Sequence, residues 1–191
     1  MNIGRAWTGL ALGALLVAGG WAGEGRAMSD VTIIVDMAKL APARPAAPRL
    51  AKVEVSDIRK SVNQERTTIG GISMGQITLQ PPEAELIQGL VEAEANAALA
   101  KLGKDTAPET IHCGIREFQV ETPATMLYWD VTTRIELVLR VAGQDRPVSV
   151  KATERTFVWP SQELIQRVTE KALAEAAAQS GRALEELLAG R

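Results

Sequence analysis

The clearest structural signal in the chain comes from two stretches: D-V-T-T-R-I-E-L-V-L-R-V at residues 130–141 and P-V-S-V-K-A-T at residues 147–153. In the first stretch, apolar side chains occupy alternate positions and mostly charged ones lie between them; the apolar set is Ile135, Leu137, Leu139 and Val141. Because side chains of a strand alternate between two faces, this pattern predicts a strand with one buried and one wet face.

The second stretch alternates in the same way and predicts the return arm of a hairpin. Residues 142–146 supply turn chemistry, since Gly143 readily takes a positive φ. Pro147 lacks the ladder donor and is therefore predicted to begin the return arm. A hairpin of this length has to bury one face against other elements.

The remaining elements follow from periodicity and from helix boundary signals. Helices are predicted over residues 83–102, after Pro81-Pro82, and over residues 162–179, with Ser161 as the N-cap. A separate short helix is predicted over residues 182–188. Strands are predicted at residues 31–35, 52–59 and 111–121, the last with a bulge near Arg116 that reconciles two apolar phases. Residues 60–68 are predicted to form an exposed polar loop. The Gly-rich residues 69–77 are predicted to form a loop or a bulged strand.

This order predicts an α+β fold: a mostly antiparallel sheet with two main helices packed on one face. The 191 residues fit a signal peptide at residues 1–27 and a single domain at residues 28–191 with a short C-terminal helix.

The N-terminus has the pattern of a secretory leader. Arg5 precedes an uncharged apolar core at residues 10–18, and Gly25 and Ala27 occupy the −3 and −1 positions of a cleavage site. The sequence therefore predicts a periplasmic protein, with an inner-membrane protein held by an uncleaved leader as the alternative. No cysteine lies near the end of the apolar core, so no lipid anchor is expected, although contact with a membrane is left open.

The segment V-E-V-S-D-I-R at residues 53–59, followed by T-I-G at residues 68–70, is a strand ending in Asp-x-Arg with Ile-Gly downstream. The Ala-rich helix ending L-A-K-L-G, then paired strands and a terminal helix, come after it. This order resembles the YajG-like group of envelope lipoproteins, small α+β domains without an assigned enzymatic activity, over residues 31–179. The resemblance implies an envelope address and an α+β fold and supplies no catalytic residues. The chain departs from the group in lacking the lipidation cysteine.

The sequence contains no coherent catalytic, metal or cofactor pattern. His112 and Cys113 are adjacent in a predicted strand and point to opposite faces, so they cannot pair as base and nucleophile. Cys113 is expected in the core and His112 in solvent. The carboxylates Glu117, Glu121 and Asp130 keep a hydrolase open as the least favoured alternative. No cofactor is predicted, and a net charge of −2 argues against a nucleic-acid partner.

The leading hypothesis is a non-enzymatic protein that binds another envelope component or a second copy of itself. A carrier of a small apolar ligand, held between sheet and helices, is the alternative. Two regions are predicted to act: the polar and Gly-rich segment, and the aromatic end of the hairpin. Their candidate binding residues are Asp57, Arg59, Gly70, Gly71, Tyr128, Trp129 and Trp159.

Overall fold

Ten elements make up the part of the chain that the structure, a computed structural model, describes: residues 30–40, 51–62, 64–67, 72–105, 107 and 109–190. In chain order they are β1 (Val31–Ile34), α1 (Met37–Leu40), β2 (Val53–Asp57), β3 (Glu65–Thr67), β4 (Ser73–Gln80), α2 (Glu83–Lys101), β5 (Ile111–Glu121), β6 (Trp129–Val141), β7 (Gln144–Thr156) and α3 (Gln162–Ala189). The predicted α+β class is confirmed. The leader at residues 1–27 and the glycines Gly70 and Gly71 lie outside the described residues.

The hairpin β6–β7 lies within a four-stranded sheet of order β2-β5-β6-β7. Its turn is the pair Ala142-Gly143, whose φ angles of 50° and 78° are both positive, as in the tight turns that match strand twist. The return strand therefore begins at Gln144, three residues earlier than predicted. Pro147 lies inside β7, where it is tolerated because β7 is an edge strand.

The predicted bulge in β5 is confirmed. The β5–β6 register shifts between Ile115 and Glu117, so Arg116 is the extra residue. The shift lets Cys113 and Ile115 before it, and Phe118 and Val120 after it, all reach the buried face. A strand with an uneven apolar pattern thus presents one continuous apolar face.

Helices α2 and α3 cover that face. On the opposite face of the sheet, Glu136 and Arg140 are exposed, whereas Thr132 and Val138 are buried. Ser161 caps α3 as predicted, with its Oγ accepting the Leu164 N–H at 3.2 Å. The separate C-terminal helix predicted at residues 182–188 is wrong, because α3 runs unbroken to Ala189. Gly181 is buried against α2, where a Cβ would lie 2.6 Å from a carboxylate oxygen of Glu94. This glycine permits close helix contact and does not end the helix.

A second sheet, of order β1-β4-β3, extends the predicted single sheet into two. Both β1–β4 and β2–β5 are parallel pairs, whereas the other three pairs are antiparallel. Gln162 and Gln166 on α3 donate to the carbonyls of Thr32 and Ile34, which fastens β1 beside the helix.

The polar segment predicted as an exposed loop is partly wrong. It contains β3, and Gln64 and Arg66 are 3% and 5% exposed. Both side chains are buried because they find polar partners inside the fold, as described below.

All ten elements and their hydrophobic core lie within residues 31–189. A chain that begins at Met28 therefore retains every described core contact.

Candidate functional site

The end of the hairpin opposite the turn carries a cluster of exposed apolar side chains. We call residues 126–129 and 157–159 the aromatic tip. Its members Met126, Leu127, Phe157 and Val158 are 88%, 77%, 74% and 71% exposed, and Trp159 is 39% exposed. Several large apolar side chains exposed near one end of a sheet are a common sign of an interaction site.

Two threonine side chains shape the loops of the tip. Thr125 Oγ1 accepts the N–H groups of Leu127 and Tyr128 at 3.3 and 3.0 Å. Thr156 Oγ1 accepts the Val158 N–H at 3.3 Å. Each bond closes a local turn of the kind that threonine hydroxyls support. The apolar side chains are consequently displayed at the crest of a defined turn.

The aromatic rings behind the crest contact each other across the two strands. Tyr128 and Phe157 have ring centroids 6.4 Å apart, and Trp129 and Trp159 have centroids 5.8 Å apart, both with edge-to-face geometry. Such pairs stabilise by about 0.5–1.5 kcal/mol beyond their burial. The predicted meeting of Tyr128, Trp129 and Trp159 at one end of the hairpin is thus what the structure shows.

Two guanidinium groups flank the rings, and the sequence pattern did not single out either. The Arg66 guanidinium lies 4.6 Å from the Trp159 ring centroid, and its Nη2 donates to the Pro160 carbonyl at 2.7 Å. Burial lowers the pKa of Arg66 from its ordinary value. The Arg155 guanidinium lies 3.7 Å from the Tyr128 centroid. These cation–π contacts fix the orientation of the rings.

Asp57 and Arg59 lie at a second place, which we call the Arg59 junction. Arg59 Nε and Nη2 donate to the two carboxylate oxygens of Asp57 at 2.9 and 2.7 Å, and Nη1 donates to the Phe118 carbonyl at 3.4 Å. Glu83, the first residue of α2, lies 3.8 Å from the guanidinium and accepts a hydrogen bond from Gln64. The Arg59 side chain is only 6% exposed. The junction therefore ties the end of β2 to α2 and β5.

From its place at the end of a strand, the Asp57–Arg59 pair is expected to form an exposed ion pair or to cap the following loop. The capping expectation agrees with the Arg59 N–H donating to Asp57 Oδ1 at 3.1 Å. The exposed-pair expectation fails on the arginine side, because the guanidinium is buried and bonded. That hydrogen bonding to Arg59 also holds the pKa of Asp57 below its ordinary value.

His112 and Cys113 lie as the strand alternation predicted. Cys113 is fully buried, and burial raises the pKa of its thiol to about 12. His112 is exposed and lies 3.5 Å from Glu54. A thiol with this pKa is protonated at neutral pH and is a poor nucleophile.

Two of the three carboxylates weighed for hydrolysis, Glu121 and Asp130, are engaged in ion pairs. Asp130 accepts both Nε and Nη2 of Arg155, and Glu121 lies 2.9 Å from Arg134. Hydrogen bonding to Arg155 holds the pKa of Asp130 low. Among the described residues no group of three metal-ligating side chains comes together.

The outer face of the four-stranded sheet carries an open depression of about 540 Å³. Residues from β5, β6 and the segment after β2 line it: Ile58, Lys60, Ser61, Arg116, Glu117, Phe118, Gln119 and Glu136. It lies on the opposite side of the sheet from the helices, whereas the carrier alternative placed its ligand between sheet and helices. Within the described ranges, no helix is long and apolar enough to cross a bilayer.

Comparison with known proteins gives only distant structural likeness. No family model matches the chain, and no curated protein matches it. The fold is similar to a crystal structure of an uncharacterised protein, with a TM-score of 0.45 and 14% identity over 80% of this chain and 98% of that one. It is also similar to the crystal structure titled "a putative lipoprotein from Caulobacter crescentus", with a TM-score of 0.33 and 18% identity over 53% of this chain and 82% of that one. Likeness this distant does not show what the protein binds, and the resemblance to the YajG-like group stays a prediction.

Proposed function

We propose that this chain is a non-enzymatic protein of the bacterial envelope that acts by binding another envelope component through the aromatic tip. The observation that carries the proposal is the exposure of Met126, Leu127, Phe157 and Val158, between 71% and 88%, on two adjacent loops. An apolar cluster of this kind lowers the free energy of the protein only when something covers it.

The leader pattern at residues 1–27 supports the envelope address. It predicts export by the general secretory route, and the YajG-like resemblance implies the same compartment. A mature chain that begins at Met28 would then carry the aromatic tip into the periplasm.

The chemistry of the other candidate groups supports a binding role over catalysis. The thiol of Cys113 is buried, and Asp130 is held ionised by Arg155. In the Arg59 junction, the guanidinium donates its hydrogen bonds within the protein, to Asp57 and to the Phe118 carbonyl. Among the described residues, the aromatic tip carries the four most exposed large apolar side chains, whereas the junction holds β2, β5 and α2 together.

The alternative of an apolar-ligand carrier has weaker support. A carrier would need an enclosed apolar cavity between sheet and helices. The depression of about 480 Å³ between β7 and α3 is open, and charged residues, Lys151, Lys171 and Glu175, form part of its lining. The apolar side chains between sheet and helices are fully buried and belong to one cluster; they include Leu86, Ile87, Leu139, Ile165 and Leu173.

Thiol labelling in intact cells tests the proposal, because the one native cysteine is buried and gives no background. In the full-length chain, Leu127→Cys places a reactive thiol at the tip, and Ile58→Cys places one at a matched exposed position on the outer sheet face. A maleimide that crosses only the outer membrane should label Ile58→Cys, and should label Leu127→Cys much more slowly in cells than in the purified protein.

Two results would contradict the proposal. Absence of labelling at both positions, with labelling restored after lysis, would place the protein outside the periplasm. Equal labelling rates for Leu127→Cys in cells and in purified protein would show that nothing covers the tip.

A further inference from the structure

Neither loop of the aromatic tip carries a charge. Residues 122–129 and residues 156–162 contain only uncharged side chains. The charged residues that border these two runs are Glu121, Asp130, Arg155 and Glu163. Asp130 and Arg155, on the hairpin side, are direct partners in the register. They form a bidentate pair, with Nε–Oδ1 at 2.8 Å and Nη2–Oδ2 at 3.2 Å. The tip can therefore leave water without burying an unpaired charge, which would be costly.

The exposed fractions describe the shape of the tip. Neighbouring side chains in a flat patch shade one another, so the values above 70% for Met126, Leu127, Phe157 and Val158 mean that these side chains project from the end of the hairpin. A rigid protein partner would need a matching cavity to cover them. Fluid acyl chains, by contrast, can surround a projecting apolar side chain without any preformed cavity.

Polarity rises in layers with distance from the crest. Behind the four projecting side chains lie Tyr128, Trp129 and Trp159, the ring types that concentrate at the boundary between membrane and water. The Arg155 guanidinium lies over the Tyr128 ring, 3.7 Å from its centroid, and Arg155 is one register step farther along the hairpin than Trp129 and Thr156. Its bonds to Asp130 use Nε and Nη2, so that Nη1 can bind a phosphate oxygen. This order follows the polarity gradient of a bilayer surface.

We propose that the aromatic tip inserts into the surface of a phospholipid bilayer, with its apolar crest among the upper acyl chains and Arg155 at the level of the phosphates. The inference rests on the proposed function and names its ligand class: the envelope component is the lipid surface itself. The tip then docks the domain on the membrane without a covalent lipid.

The chain supplies its own reporter for the test. In a chain that begins at Met28, Trp129 and Trp159 are the only tryptophans, because Trp7 and Trp21 precede it. Both lie in the tip. Binding to vesicles of phosphatidylethanolamine with a minority of phosphatidylglycerol should shift the tryptophan emission to shorter wavelength and carry the protein into the vesicle pellet.

Two tip variants and one matched control make the test specific. Leu127→Asp and Phe157→Asp should each lower the vesicle partition coefficient about tenfold or more, since burial of one such side chain changes an equilibrium constant by that order. Ile58→Asp adds the same charge at a side chain that is 54% exposed. Ile58 lies beside Ile115, about 20 Å from the tip end of β5 at roughly 3.3 Å per residue. Its partition coefficient should match that of the unmodified chain.

Three results would overturn the lipid assignment. The first is no binding and no emission shift with vesicles that contain phosphatidylglycerol. The second is equal loss of binding in Ile58→Asp, which would place the contact elsewhere. The third is a tip-dependent dimer in solution, detected by light scattering and abolished by Phe157→Asp, which would make a second copy the occupant. Protection of Leu127→Cys in cells together with no vesicle binding would retain the proposed function and reject the lipid.

Discussion

Arg59 and Arg155 form the same bidentate contact with an aspartate but differ in burial. The Arg59 side chain is 6% exposed and that of Arg155 is 51% exposed. If the Arg59 junction is structural, Arg59→Ala should destabilise the fold much more than Arg155→Ala, because water replaces an exposed partner and cannot replace a buried one.

The magnitude follows from the contacts that are lost. Two charge-assisted hydrogen bonds to Asp57 contribute about 1.5 kcal/mol each at the low end of their range, about 3 kcal/mol together. Because Asp57 is 39% exposed, water can replace part of what it loses, so Arg59→Ala should cost about 2–3 kcal/mol, less than the roughly 3–5 kcal/mol for a fully buried pair. The thermal midpoint should fall by about 5–10 °C for a domain of this size.

Urea unfolding of the chain from Met28, followed by circular dichroism, measures the difference. The midpoint should fall with an unchanged slope. Equal destabilisation by Arg59→Ala and Arg155→Ala would refute the reasoning. So would a stable Arg59→Ala protein that has lost the tip-dependent membrane binding, because that would make the junction a binding site.

Acid titration gives an independent check on the same pair. Arg59 holds the native pKa of Asp57 below the unfolded value, so the unfolded state binds more protons. The stability from this pair is therefore complete above about pH 4 and is lost as the pH falls through the lowered native pKa. The gap in unfolding free energy between the unmodified chain and Arg59→Ala should be constant near neutrality and narrow in strong acid. A gap that widens below pH 4 would contradict this sign.

Three further predictions follow from single sites. Burial raises the pKa of Cys113 to about 12, so its thiol should react with a thiol reagent only as fast as the native state unfolds. Negligible labelling of the folded protein and complete labelling in urea would verify this. Both positions of the hairpin turn, Ala142 and Gly143, have positive φ, which Asn and Gly tolerate and β-branched residues do not. Ala142→Asn should therefore stabilise the fold by a few tenths of a kcal/mol to about 1 kcal/mol, and Gly143→Val should destabilise it by about 1–2 kcal/mol. The urea midpoint should rise for the first variant and fall for the second. Thr133→Val should cost only about 0.5–1.5 kcal/mol in the same assay, since Thr169 keeps its 2.9 Å bond to the Ile165 carbonyl after losing the 3.2 Å contact to Thr133.

Local chemistry made the hairpin and its neighbours predictable. The alternation at residues 130–141 needs no tertiary information, because one buried face demands a period of two. The phase change around Arg116 predicted the bulge for the same reason. The Ser161 cap is also local, since its bond spans three residues.

The features that sequence reasoning missed depend on distant contacts. The polar segment around Arg66 predicts a solvent-exposed side chain. Arg66 is nevertheless buried, because its guanidinium bonds to the Pro160 carbonyl and lies against Trp159, both far away in the sequence. Gly181 reads as a helix stop, yet it lies inside α3 because Glu94 occupies the space of its missing side chain. Parallel pairing of β2 with β5 joins segments over 50 residues apart, and no local pattern specifies it.

The candidate site was predicted in part. Pairing the arms around Gly143 placed Tyr128, Trp129, Phe157 and Trp159 together. The absence of charge at residues 122–129 and 156–162 was readable in the sequence and could have indicated the exposed loops. Exposure itself could not be read, because an uncharged apolar run is equally typical of a core segment.

Photo-crosslinking in living cells can show whether the aromatic tip is the surface that binds the envelope. A benzophenone amino acid at Phe157 nearly preserves the shape of the side chain, and the same probe at Ile58 is the matched control. Abundant crosslinks to phospholipid are expected from position 157 and few from position 58. Crosslinks from position 58 alone, or none from position 157 in cells that contain the folded protein, would contradict this expectation.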